Sequence, residues 1–197
     1  MKYVLTHFQG DWKWVEEYTN DYLIYNRSDE DIPNSIRRAN LGDADYDRLS
    51  YIVDNYYHLP DLFLLSKANL FKYITKEEFD ALEKTDFTPL LTQHHKVYEP
   101  VCRYTNGIYE EINNSWYLSS VPSRYFSNYG TFAEYFGLPN PDYLQFAPGG
   151  NYILTRERVQ RHSLDFYNEL RSILSYTQRP GEAHMIERSL YNLWSTP

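Results

Sequence analysis

One cysteine, Cys102, stands in a chain of 197 residues, so no internal disulfide can form. A reducing compartment fits this composition. No apolar run approaches the roughly 20 residues that a membrane helix needs. The opening residues 1–8 are too short and polar for a signal peptide, so a soluble intracellular protein is expected. The charge balance lacks a positive excess: the net charge is −8. A duplex nucleic-acid partner needs a broad basic face and is therefore not expected. Also missing are a Walker loop, a Gly-x-Gly-x-x-Gly turn and a Gly-x-Ser-x-Gly elbow, which removes support for ATP hydrolysis, hydride transfer and serine hydrolysis. Cys102 has no catalytic signature beside it. His94 and His95 are adjacent and have no partner at zinc-site spacing, so a contact to a substrate hydroxyl or phosphate suits one of them better than shared zinc.

Aromatic side chains are abundant, with 21 tyrosines, 10 phenylalanines and 4 tryptophans. A tyrosine has a flat apolar body and a polar tip, which suits sugar and base clefts, although most must serve packing. The hydrophobic pattern begins with a β-rich run over residues 2–8 and a polar-aromatic helix from Asp11 to about Tyr18. A second strand covers residues 21–25, and a loop spans 28–42. A helix over 45–57 places Leu49, Ile52, Val53 and Tyr56 on one face. The continuous apolar run 62–65 reads as a buried parallel strand. This strand–helix–strand–loop–helix–strand order predicts an α/β protein with parallel packing and ligands beyond the carboxyl ends of the strands. Those ends are Thr6-His7, Asn26-Arg27 and Ser66-Lys67.

Further along, residues 76–84 form a charged helix opened by Thr75, with Glu78 placed for a capping box. The stretch 88–99 carries the paired histidines. Asn106-Gly107 and Asn113-Asn114 mark turns of a hairpin within 104–117. A short helix is expected at 131–136. After the loop 146–150 come a strand at 151–154, a helix start capped by Thr155, an amphipathic helix at 163–176 and a final helix at about 182–194. No repeat or domain boundary is visible, so one domain over 1–197 is expected.

The densest chemistry lies in residues 37–45, Arg-Arg-Ala-Asn-Leu-Gly-Asp-Ala-Asp. Arginines grip phosphate oxygens, a glycine allows close backbone approach, and spaced carboxylates can share a divalent metal. The alternative is a polar loop in which Asp43 or Asp45 caps the following helix. A nucleotide-sugar transferase must neutralise a departing diphosphate. Arg37, Arg38 and Lys67 can supply cations, and Asp43 and Asp45 can supply metal ligands. The loop Pro148-Gly149-Gly150 can approach a sugar or acceptor closely, or only turn the chain. On the last helix, Glu187 can meet a hydroxyl or pair with an arginine. His184 can ligate a metal, contact phosphate or serve the surface.

Several segments together carry a resemblance: 23–27 (Leu-Ile-Tyr-Asn-Arg), 40–42 (Asn-Leu-Gly), 49–56, 59–61 (Leu-Pro-Asp), 146–150 (Phe-Ala-Pro-Gly-Gly), 155–158 (Thr-Arg-Glu-Arg), 165–167 and 187–194. The sequence resembles the chlorella-virus-type glycosyltransferases, specifically the amino-terminal glycosyltransferase domain of the capsid-glycan enzyme, and related small GT-A-like proteins. The blocks span most of the chain, with residues 74–140 the weakest.

The resemblance implies a GT-A-like mixed central sheet flanked by helices, with the nucleotide bound by the N-terminal half. It implies transfer of a hexose or deoxyhexose from a UDP-sugar to a glycan or glycoprotein hydroxyl, in viral or surface glycan synthesis, usually with Mn²⁺ or Mg²⁺. The compartment would be the cytoplasm, the host's if the source is viral. Carried over, Thr6, His7, Asn26 and Arg27 would lie by the nucleoside. Arg38, Asn40 and Gly42 would face the ribose or diphosphate, and Lys67 and Asn69 the donor phosphate or sugar. Asp43 and Glu187 are the catalytic candidates, and Asp43, Asp45 and His184 the metal candidates. Residues 66–69 hold no carboxylate where such enzymes place their metal pair. A non-catalytic nucleotide- or carbohydrate-binding module is therefore the alternative. Tyrosine richness alone also allows a structural or interaction protein.

Overall fold

Alternation of apolar side chains across two faces sets the central sheet. In β1 (Lys2–His7), Val4 faces one hydrophobic cluster while Tyr3 and Leu5 face another. In β4 (Leu62–Lys67), Phe63 and Leu65 join the first cluster and Leu64 the second. Both faces of these strands are covered, which explains the uninterrupted apolar run at 62–65. The computed structural model describes residues 1–96, 101–115 and 123–195. The end of the stretch 88–99 and the hairpin's end at 117 lie outside the described residues.

The six-stranded sheet is mixed. With β2 (Tyr22–Asn26), β3 (Ser35–Arg37), β5 (Phe87–Pro89) and β9 (Tyr152–Thr155), its order is β3-β2-β1-β4-β9-β5. The first four strands are parallel, while β9 runs antiparallel to both β4 and β5. A second, antiparallel sheet of order β6-β7-β8 contains β6 (Cys102–Thr105), β7 (Ile108–Ile112) and β8 (Tyr143–Phe146). Asn106 and Gly107 both take positive φ at the β6–β7 turn, as the Asn-Gly signal predicts.

Helices cover both faces. Trp14 and Val15, at the start of α1 (Val15–Tyr18), and Phe79, in α3 (Lys76–Ala81), pack on the Tyr3–Leu5 face. On the Val4 face, α2 (Asp43–Asn55) and α6 (Leu164–Ser172) pack beside α7 (Gly181–Ser195). Between them in sequence lie α4 (Tyr129–Phe136) and α5 (Arg156–Val159). Because β2 lies on one side of β1 and β4 on the other, the chain reverses its direction across the sheet there. The connecting elements α1 and α2 accordingly fall on opposite faces, which makes the β1/β4 boundary a topological switch point.

Local signals set most helix starts. Thr75 and Glu78 form a reciprocal capping box, and Asn128, Thr155 and Ser163 cap α4, α5 and α6. The start of α2 departs from expectation. Its N-cap is Gly42, and no side chain caps it. Among the described residues, the Asp43 side chain accepts a hydrogen bond only from the adjacent Ala44 amide (2.6 Å), and Asp45 is committed to Arg48. The helix start is instead tied down by two backbone bonds, Gly42 N–H to Thr177 (2.9 Å) and Asp43 N–H to Gln178 (3.0 Å). Strands β3, β5 and β8 escaped the sequence pattern because three or four residues are too few to show a period.

Candidate functional site

A cleft of about 570 Å³ opens at the carboxyl ends of the parallel strands. Thr6 of β1 and Lys67 of β4 are register partners and both line it, so the cleft straddles the switch point. Among the described residues, the charged side chains lining it are Arg27, Lys67, Lys72 and Arg179 against Asp43 alone, in a protein of net charge −8. Asn40, Asn69 and Gln178 add hydrogen-bonding groups. A second lobe of about 320 Å³ shares Asp43, Lys67, Lys72, Tyr73 and His184 with the first. Its far wall comes from the small sheet, through Cys102, Glu111 and Phe146, and from the loop that joins β8 to β9.

At the junction of the two lobes, Asp43, Lys67, Lys72 and His184 come together. Asp43 Oδ1 lies 3.9 Å from Lys67 Nζ. Burial disfavours the Asp43 carboxylate, but Lys67, the Ala44 amide, Arg48 and His184 outweigh it and hold the group below the usual range. Burial likewise opposes the Lys67 ammonium, and Asp43 and Glu187 overcome it, keeping the lysine charged. Burial and then Arg188 push His184 down, so its imidazole is neutral near pH 7. Asp43 also holds a left-handed backbone at φ +50°, which for a non-glycine residue costs about 1–2 kcal/mol. Strain of this kind concentrates at working sites.

Beneath the junction runs a buried ionic frame. Asp45 Oδ1 accepts from Arg48 Nη1 at 2.5 Å, and Arg48 Nη2 donates to the Gly149 carbonyl. Burial drives Asp45 up to about 6 against the pull of Arg48, and the nearby Glu187 and Asp43 add to the rise. Glu187 accepts the Gly149 amide (2.7 Å) and Arg188 Nη1 (2.7 Å). Burial opposes the Glu187 charge, but Arg188, Lys67, His184 and Arg48 prevail and lower its pKa. Arg188 also grips Glu111 Oε2 through Nε (3.0 Å) and Nη2 (2.7 Å). This frame fastens the small sheet and the 147–151 loop to α7 and α2.

The expected site residues divide accordingly. Thr6, Arg27, Asn40, Asp43, Lys67, Asn69 and His184 meet in the larger lobe. Pro148, Gly149 and Glu187 line the smaller one. Arg27 is anchored by Asp47 (2.6 Å) and keeps a buried Nη2 without a hydrogen-bond partner among the described residues. The others serve elsewhere. His7 is wholly buried, 3.6 Å from Glu30, because alternation turns it away from the face that Thr6 presents. The side chain of Asn26 bonds Ser28 and the Glu30 carbonyl, shaping the turn after β2. Arg38 stacks over Tyr25 (4.9 Å) and faces Asp54 (3.6 Å). Gly42 packs against Tyr46 and Leu174, and Gly150 lies over the Arg48 guanidinium. Gly149 has φ +82°, and a Cβ there would sit 2.7 Å from Tyr73 Cζ, so its missing side chain makes room for Tyr73.

Sequence reasoning missed Lys72, Tyr73, Arg179, Glu111 and Arg188. The first three lie in or beside short 3₁₀ and loop segments with no periodic signal. Glu111 carried one: it shares the buried face of β7 with Tyr109, where a charge demands a partner.

The divalent ion implied by the resemblance needs oxygen ligands gathered at one point. Asp45 does not join Asp43, because Arg48 occupies it. Asp43 and His184 share the junction with the Lys67 ammonium. Among the described residues, no three His, Cys, Asp or Glu side chains gather as a metal-binding group. The donor set of the cleft is cationic and does not fit a resident Mn²⁺ or Mg²⁺.

Among the described residues, no helix is long and apolar enough to cross a membrane. No curated protein and no solved structure matches the sequence. Residues 4–196 match the family described as "Protein of unknown function (DUF3431)", and the chain belongs to that family.

Proposed function

We propose that this protein is a GT-A-like glycosyltransferase that moves a hexose or deoxyhexose from a UDP-sugar to a hydroxyl of a glycan or glycoprotein. The observation that carries the reading is the two-lobed cleft at the strand switch point, cationic in its larger lobe and crossed at its waist by Asp43, Lys67 and His184. The larger lobe suits a nucleoside diphosphate, and the smaller lobe, walled by Phe146, Tyr73 and polar groups, suits an acceptor sugar.

In this reading the acceptor oxygen bonds to the anomeric carbon as the bond from that carbon to the phosphate oxygen breaks. UDP departs with the bonding electron pair, and Lys67 neutralises its charge. The hydroxyl proton passes to Asp43, which is ionised and open to both lobes. Glu187 is a positioning residue, since its oxygens hold Gly149 and Arg188.

A second reading, a nucleotide- or carbohydrate-binding module without turnover, draws on the lack of a carboxylate in residues 66–69. A screen of UDP-sugars for donor hydrolysis and transfer separates the two. Release of UDP from one donor that is stimulated by a sugar acceptor supports the transferase. UDP binding without turnover of any donor favours the module, and no UDP binding sinks the transferase.

A further inference from the structure

We infer that the diphosphate charge in this cleft is neutralised by the protein's own cations, Lys67, Lys72 and Arg179, and that donor binding needs no divalent metal. The inference rests on the UDP-sugar reading above and specifies how that site holds its ligand. Three observations carry it. First, Lys67 ends β4 at the switch point, where a ligand's phosphates approach the strand termini, and it borders both lobes. Second, Lys72 and Arg179 approach the larger lobe from separate segments, and among the described residues neither has an ion-pair partner. Unpaired cations converging on one concavity attract an anion and gain more from it than cations already paired. Third, the carboxylates that would hold a metal are committed: Asp45 to Arg48, and Glu187 to Gly149 and Arg188. A divalent ion seated beside Asp43 would also have to stand next to the Lys67 ammonium, 3.9 Å from the same carboxylate. That repulsion opposes a metal, whereas a diphosphate gains from the same lysine.

Calorimetric titration of the full chain with UDP, once in EDTA and once in Mn²⁺, tests the inference, with inorganic pyrophosphate in EDTA as a third arm. The expected result is UDP binding of equal strength, within about twofold, with and without metal. Lys72→Met and Arg179→Met should each weaken it about tenfold, as expected for a lost charge-assisted bond. Both side chains are exposed, so neither change threatens the fold. UDP binding that strengthens tenfold or more in Mn²⁺ would overturn the inference while leaving the nucleotide site standing. Pyrophosphate that binds in EDTA as tightly as UDP would uphold the metal-free anion cleft and remove the nucleoside from the proposal. Failure of both ligands would overturn the two together, whereas unchanged affinity in both variants would overturn the inference and leave UDP binding standing.

Discussion

Replacing Asp45 distinguishes an ionic frame from a helix cap. At the start of α2 its carboxylate could be worth only the ~1 kcal/mol typical of a cap. The structure gives it a different task. Asp45 and Arg48 are almost fully buried, their side chains 6% and 3% exposed, and they meet at 2.5 Å. In Asp45→Ala the guanidinium stays buried, and among the described residues Nε already lacks a hydrogen-bond partner and the Gly149 carbonyl is the one hydrogen-bond acceptor left to it. Removing one member of a buried pair costs about 3–5 kcal/mol. With a urea slope of about 2 kcal/mol/M, the unfolding midpoint should fall by roughly 1.5–2.5 M. The double variant Asp45→Leu/Arg48→Leu removes both charges and should recover much of that loss, because apolar replacement of a whole buried pair is often neutral. A midpoint drop equivalent to 1 kcal/mol or less in Asp45→Ala, or a double variant worse than the single, would refute the frame.

Other expectations follow from the same geometry. Asp43→Asn keeps a residue that tolerates φ +50°, so UDP affinity should hold within about threefold while transfer falls about 100-fold or more, read by product formation under single-turnover conditions. Gly149→Ala forces a Cβ to 2.7 Å from Tyr73 at φ +82° and should cost at least about 2 kcal/mol, seen as a Tm lower by roughly 4–8 °C. Glu182 is buried at the head of α7 and accepts from Ser123, Arg124, Tyr125 and Tyr176. Burial works against its charge, but the Tyr176, Tyr125 and Ser123 hydrogen bonds win and depress its folded pKa. Its stabilisation is therefore present above the unfolded value of about 4.3 and is lost as pH falls through the folded pKa, so Glu182→Gln should flatten the acid limb of stability measured by urea titration from pH 6 to 3.

The legible and illegible parts of the chain differ in physical kind. Elements with a period and an end signal could be read: the 45–57 helix, the Thr75–Glu78 box and the Asn106-Gly107 turn all depend on neighbours in sequence. The strand ends Thr6 and Lys67 could be placed together because parallel topology converges them. The direction of β9 was not readable, since antiparallel pairing to β4 is a tertiary choice made about 85 residues away. In the site, Asp43 and Asp45 looked alike, two carboxylates one residue apart. Asp43 takes a left-handed backbone at the mouth of α2 and lines the cleft, whereas Asp45 lies three residues before Arg48 on the helix and pairs with it. His7 was misplaced by parity on a strand, one residue beyond Thr6 and on the opposite face. The Glu111–Arg188–Glu187 chain joins the hairpin to α7 and has no local trace beyond a charge at a buried strand position.

In the proposed function, the cleft over the β1/β4 switch point holds a nucleoside diphosphate. An amide NMR titration with UDP tests it most directly. Saturable shifts are expected to cluster at Thr6, Asn40, Asp43, Lys67 and Asn69, with His7 and Arg38 moving less. Shifts confined to a surface away from these residues, or none at millimolar UDP, would contradict it.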